Sequence, residues 1–137
     1  MKKKVLITGG AGFLGVHLTR RLLKNNYQVT LFDVANLDAG DLIVKVNFVK
    51  GDVRNKKAID KAILKHDFVV HAAAALPIQQ SKRVIFSINV DGTKNVLESC
   101  LKNKVKRVVF ISSTAVYGVP RHLPETEESP IDPIGYY

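Results

Sequence analysis

Gly9, Gly10, Gly12 and Gly15 stand directly behind the short apolar run Val5-Leu-Ile-Thr8. Gly10-x-Gly12-x-x-Gly15 fits the dinucleotide fingerprint, and Gly9-x-x-Gly12-x-x-Gly15 fits its variant. Such glycines have separate physical uses. One permits a tight turn, one lets the backbone touch a pyrophosphate, and the last lets a helix sit close on a strand. A pyrophosphate placed there meets the free N–H groups and positive dipole end of the helix that follows. Asp33 comes 24 residues after Gly9, near the spacing at which an acid accepts hydrogen bonds from the adenosine ribose of NAD. The same carboxylate would repel a 2′-phosphate, and Val34-Ala35-Asn36 brings no cation to receive one. The pattern therefore favours NAD over NADP. Asp52 is placed to hydrogen-bond an adenine amino group while Val53 covers the ring; capping the next helix is its alternative use. Ala72-Ala-Ala-Ala75 follows an apolar run and leaves room for a ligand at a strand end. Ser112-Ser-Thr-Ala-Val-Tyr-Gly118 gathers hydroxyls at another strand end, for which ordinary turn-forming Ser/Thr bonds are the alternative.

These groups need a scaffold of alternating strands and helices. The apolar runs predict strands at Lys4–Thr8, Gln28–Asp33, Val44–Lys50, Phe68–His71 and Arg107–Ser112. Apolar stripes predict helices at Phe13–Asn25, Lys56–Lys65 and Arg83–Asn103. Val119–Ile131 reads as an ordered loop. Asp132-Pro133 reads as a helix cap and first helical position, with Ile134-Gly-Tyr-Tyr137 as the opening turn. The expected fold is a three-layer α/β/α arrangement on a parallel sheet of order 3-2-1-4-5. A helix just begun at Tyr137 implies a sequence cut short before the later strands.

Composition narrows the partners. The 137 residues suffice for one domain with a sizeable core. A formal charge of +9 could indicate nucleic acid. The lysines, however, are spread over helix faces and strand ends without an aromatic platform, so no nucleic-acid partner is expected. No apolar run approaches the ~20 residues of a membrane span, and no membrane partner is expected. Met1-Lys-Lys-Lys4 leads straight into the first strand rather than into a signal peptide. The lone Cys100 excludes an internal disulfide, and the expected compartment is the cytoplasm. His71 has no second ligand at metal spacing and reads as a core histidine, so no metal is expected.

Taken together, these motifs resemble the N-terminal part of an extended short-chain dehydrogenase/reductase, in the NAD-dependent nucleotide-sugar epimerase/dehydratase group (UDP-glucose 4-epimerase-like). The resemblance rests on Thr8-Gly-Gly-Ala-Gly-Phe-Leu-Gly15, Asp33, Gly51-Asp-Val53, His71-Ala-Ala-Ala74, Asn89-Val-Asp-Gly-Thr93 and Ser112–Gly118. It implies that residues 1–137 form a Rossmann domain lacking its C-terminal substrate domain. It implies that Gly9, Gly12 and Gly15, with the backbone of Phe13 and Leu14, hold the NAD pyrophosphate. Asp33 would take the ribose, Asp52 and Val53 the adenine, and Ala72, Ala73 and Ala74 would line the cofactor. Asn89 would support the site. Ser113 would be the catalytic Ser/Thr on the sugar hydroxyl, and Tyr137 the catalytic tyrosine of a Tyr-x-x-x-Lys motif, with Tyr136 as the alternative. The implied function is oxidation and re-reduction of a nucleotide-sugar hydroxyl. A sequence cut short would leave strand five and the long helix uncovered, so a homodimer or self-association through that surface is expected. No lysine follows Tyr137 within this sequence, so the 137-residue chain itself is expected to be inactive. A related extended reductase or dehydratase, or a non-catalytic NAD-sensing Rossmann protein, would share much of this pattern.

Overall fold

A computed structural model describes residues 2–78, 81–120 and 123–135. Five strands, β1 (Lys4–Thr8), β2 (Gln28–Asp33), β3 (Asn47–Lys50), β4 (Phe68–His71) and β5 (Arg107–Phe110), form one sheet. Every pairing is parallel and the order is β3-β2-β1-β4-β5. Helix α1 (Phe13–Lys24) links β1 to β2, and α2 (Lys56–Ile63) links β3 to β4. A helical stretch of α3 (Lys82–Phe86), a π-helical segment (Ser87–Gly92) and α4 (Thr93–Lys102) links β4 to β5.

Strand side chains alternate between two faces, and the core divides accordingly. Val5, Ile7, Val29, Leu31 and Val70 pack with Leu18, Leu22 and Leu23 of α1. Leu6, Phe32 and Val69 pack on the opposite face with Ile59, Ile63, Val96 and Cys100 of α2 and α4. This is the doubly covered parallel sheet expected from the apolar runs, a Rossmann-like fold. Burial pushes the Cys100 thiol up to about 11, so it behaves as a small apolar side chain.

Four elements differ from expectation. The strand expected over Val44–Lys50 begins only at Asn47. Leu42 is buried, and its carbonyl accepts from Lys45 and Val46. That turn holds the backbone out of the ladder, and Val44 is 89% exposed. The long helix expected over Arg83–Asn103 is interrupted by the π-helical turn. The final strand ends at Phe110 because its partner β4 has only four residues to pair. Asp132-Pro133 and the following Ile134-Gly135 are not helical. Asp132 N–H instead donates to the Val116 carbonyl at 3.0 Å. The expected tyrosines Tyr136 and Tyr137 lie outside the described residues.

Candidate functional site

Two cavities open beside the C-terminal ends of the strands, where ligands bind in open parallel sheets. The first, of about 430 Å³, is bordered by Gly9, Gly12, Asp33, Asp52, Val53 and Ala72–Ala74. The second, of about 390 Å³, is bordered by Asn89, Thr93, Phe110, Ser112, Ser113 and Val116. Ala73 and Ala74 line both. The strip Ala72–Ala75 therefore carries a wall that the two cavities share at Ala73 and Ala74.

The glycine turn is shaped by backbone contact. Gly9 has φ +69°, and a Cβ there would lie 2.8 Å from the Ala72 carbonyl atoms and from Ala73 N. At Gly15 a Cβ would lie 2.6 Å from the Gly9 oxygen. The turn thus presses on the β4 end on one side and on α1 on the other. Gly12 is the N-cap of α1, and no side chain caps it. The first N–H groups of that helix have no intrahelical acceptor, which makes the turn fit for a phosphate. Phe13 is 84% exposed at the helix start, so its contribution to such a ligand is backbone.

Asp33 ties the loops together. Its Oδ2 accepts from Ala11 N–H and its Oδ1 from Ala35 N–H, both at 2.9 Å. Each carboxylate oxygen keeps a further lone-pair direction for a ligand hydroxyl. Asp52 is forked by Arg54, whose Nε lies 3.1 and 3.0 Å from the two oxygens, and it accepts Arg54 N–H as well. The Arg54 guanidinium holds the Asp52 carboxyl below the usual carboxylate range. The helix cap considered for Asp52 belongs to Asn55, which accepts from Ala58 N–H at 3.1 Å. Val53 is buried against Gly92.

Asn89 grips the shared wall at two points. Its Oδ1 accepts from Ala75 N–H at 2.7 Å, and its Nδ2 donates to the Ala75 carbonyl at 3.0 Å. The π-helical turn carries this side chain. Ser113 borders the second cavity and also accepts from Ala115 N–H at 3.2 Å. The turn-forming bond considered for it is present, and the hydroxyl proton stays available to donate. Sequence reasoning did not mark Arg54, Ile88 or Thr93 as site residues. Thr93 does close the stretch Asn89–Thr93 and Arg54 directly follows Gly51-Asp-Val53, whereas Ile88 reads only as one more apolar helix position. Among the described residues, no group of three His, Cys, Asp or Glu could hold a metal ion, and no helix is long and apolar enough to cross a membrane.

His71 lies behind the shared wall, 1% exposed, between Thr8 Oγ1 at 2.6 Å and Thr93 Oγ1 at 2.9 Å. Burial lowers its pKa from 6.5 to about 4. The folded chain then binds fewer protons than the unfolded one across that window. Stability is complete above about pH 6.5 and falls as the pH drops toward 4, by up to about 3 kcal/mol. The depressed aspartates act at lower pH still. Urea titrations at pH 7 and pH 4.5 should show this loss, with the His71 imidazole resonance unprotonated at pH 5.5. An imidazole titrating near 6.5 would refute it.

Residues 5–137 match the family model described as "NAD dependent epimerase/dehydratase family". A rice protein named UDP-glucose 4-epimerase 2 is 36% identical over 151 residues, covering 98% of this chain and 37% of the relative. The Bordetella bronchiseptica enzyme WbmG, solved in complex with NAD and UDP, superimposes with a TM-score of 0.89 at 29% identity. That match covers 100% of this chain and 46% of the other. UDP-glucose 4-epimerase from Bifidobacterium longum, solved with NAD+ and UDP, gives a TM-score of 0.85 at 31% identity. It is covered to 43%, and this chain to 95%. The chain thus spans less than half the length of each of these proteins.

Proposed function

Because the chain belongs to the NAD dependent epimerase/dehydratase family, we propose that its first cavity binds NAD and that the protein acts on a nucleotide sugar. The observation that carries this reading is the uncapped glycine turn joined to Asp33 through Ala11, a phosphate seat and a ribose acceptor built as one unit. The turn suits the cofactor because its glycines let backbone lie directly on backbone, a Cβ at Gly9 meeting Ala72 and Ala73 at 2.8 Å and one at Gly15 meeting the Gly9 oxygen at 2.6 Å, which leaves the uncapped start of α1 open to a phosphate. Gly9, Gly12 and Gly15, with the backbone of Phe13 and Leu14, receive the pyrophosphate. Asp33 receives the adenosine ribose, Asp52 and Val53 face the adenine, and Ala72–Ala74 line the path. Asn89 supports that path through Ala75.

When bound, NAD supplies a hydride acceptor that can return the hydride to either face of a keto sugar. Ser113 donates a hydrogen bond to the reacting sugar oxygen. Tyr137, or Tyr136 in its place, takes the hydroxyl proton. A free phenol titrates near 10, so action at neutral pH needs roughly 4 kcal/mol of selective stabilisation of the phenolate. In a Tyr-x-x-x-Lys motif the lysine supplies part of it. The chain should bind NAD in calorimetry, and absence of NAD binding overturns the cofactor reading.

The cytoplasm is proposed as the compartment, on the lone buried Cys100. Self-association is proposed through β5, an edge strand, and the exposed stripe Val90, Leu97 and Leu101. Light scattering at high concentration should show a dimer or larger species. A strict monomer would remove this proposal.

A further inference from the structure

We infer that Thr8, His71 and Thr93 form a one-way hydrogen-bond relay that positions the shared wall Ala72–Ala75 between the two cavities, with His71 held in its Nε2–H tautomer. The direction follows from counting protons. Thr93 Oγ1 donates its single proton to the Asn89 carbonyl at 2.6 Å. Toward His71 it can then only accept, so His71 Nε2, 2.9 Å away, carries the ring proton. Nδ1 is left as the acceptor, and Thr8 Oγ1 at 2.6 Å must donate to it. Thr8 Oγ1, its proton spent, accepts from Ala73 N–H at 3.3 Å. Every link points the same way, from Ala73 through Thr8, His71 and Thr93 to Asn89. His71, Thr8 and Thr93 are all neutral, and no buried polar side-chain atom among the described residues is left without a partner.

Both ends of the relay act on the same strip of backbone. Thr8 takes the N–H of Ala73. Asn89, whose carbonyl ends the relay, grips Ala75 with its side chain. The Ala72–Ala73 peptide is the one on which Gly9 rests, so moving it would move the floor of the glycine turn. His71, Thr8 and Thr93 are thus positioning residues: they reach the cofactor site through Ala73 and Ala75. The link to cofactor affinity rests on the NAD reading above, while the relay itself does not.

The test uses the whole 137-residue chain. Nitrogen-15 NMR of the wild type should show His71 Nδ1 bare and Nε2 protonated, a measurement that needs neither a variant nor NAD. Thr93→Val should lower protection of the Ala73 and Ala75 amides in hydrogen exchange and weaken NAD binding about tenfold. Thr93→Ser, which keeps the hydroxyl, should restore both to within about twofold of wild type. A His71 Nδ1–H tautomer overturns the relay. So does a folded Thr93→Val protein with wild-type exchange, or a Thr93→Ser protein as impaired as Thr93→Val. A wild type with the expected tautomer and no affinity for NAD would overturn the cofactor reading and leave the relay standing.

Discussion

Replacing Gly9 with alanine is expected to cost about 3 kcal/mol of stability and to lower NAD affinity at least ~10-fold. Two penalties combine at this position. The backbone sits at φ +69°, where a side chain crowds its own carbonyl. The added methyl would also lie 2.8 Å from three backbone atoms of Ala72 and Ala73. Those atoms belong to the end of the central strand pair β1–β4, so they cannot turn aside as a flexible side chain would. Either the glycine turn lifts off or the β4 end is displaced, and both deform the first cavity. Gly40→Ala is the control: nothing lies within 4 Å of a Cβ there, and its midpoint should match wild type. Urea denaturation reads the stability and calorimetry reads the affinity. An unchanged midpoint and an unchanged dissociation constant for Gly9→Ala would show that the turn does not carry the ligand.

Asp33→Ala should weaken NAD binding by about 10–100-fold, the range set by a hydrogen bond to a charged group worth ~1.5–3 kcal/mol. The variant loses more than a ribose partner. Ala11 N–H and Ala35 N–H each give up a 2.9 Å acceptor, so the glycine turn and the end of β2 come apart. Asp33→Asn separates the two effects. Its carbonyl oxygen can keep one of the backbone bonds, while the charge that strengthens the ribose contact and opposes a 2′-phosphate is gone. Asp33→Asn should therefore lose NAD affinity less steeply and discriminate less against NADP. Calorimetry with both dinucleotides checks this, and wild-type affinity in Asp33→Ala would remove the residue from the site.

The sheet order was legible because each strand announces itself locally. Val5-Leu-Ile and Val108-Val-Phe110 are continuous apolar runs, and Val29-Thr-Leu-Phe32 is broken only by a β-branched threonine, as suits buried parallel strands. The placement of Gly9, Gly12, Asp33 and Ala72–Ala74 around one cavity was also readable, since each follows a strand whose end the sequence marks. What could not be read was set by burial and pairings that only the folded chain decides. Val44 and Val46 look like strand residues, but Leu42 finds a buried pocket and turns the backbone there. Asp52 looks like a cap until Arg54 claims its carboxylate and Asn55 takes the cap. The roles of Thr8 and Thr93 are invisible in sequence because they depend on a histidine more than twenty positions from either.

The wider turn at Ser87–Gly92 has a geometric corollary for the rest of its helix. It winds more backbone into a turn than an α-helix does, and each residue of an ordinary α-helix advances the azimuth by roughly 100°. Deleting one residue from this stretch could straighten the coil into regular winding. It would also spin α3 (Lys82–Phe86) about its own axis relative to α4 (Thr93–Lys102), carrying the Asn89 amide off Ala75. The irregularity works as a rotational offset, letting one continuous rod aim Val96 at the sheet and Asn89 at the ligand wall in the same pass.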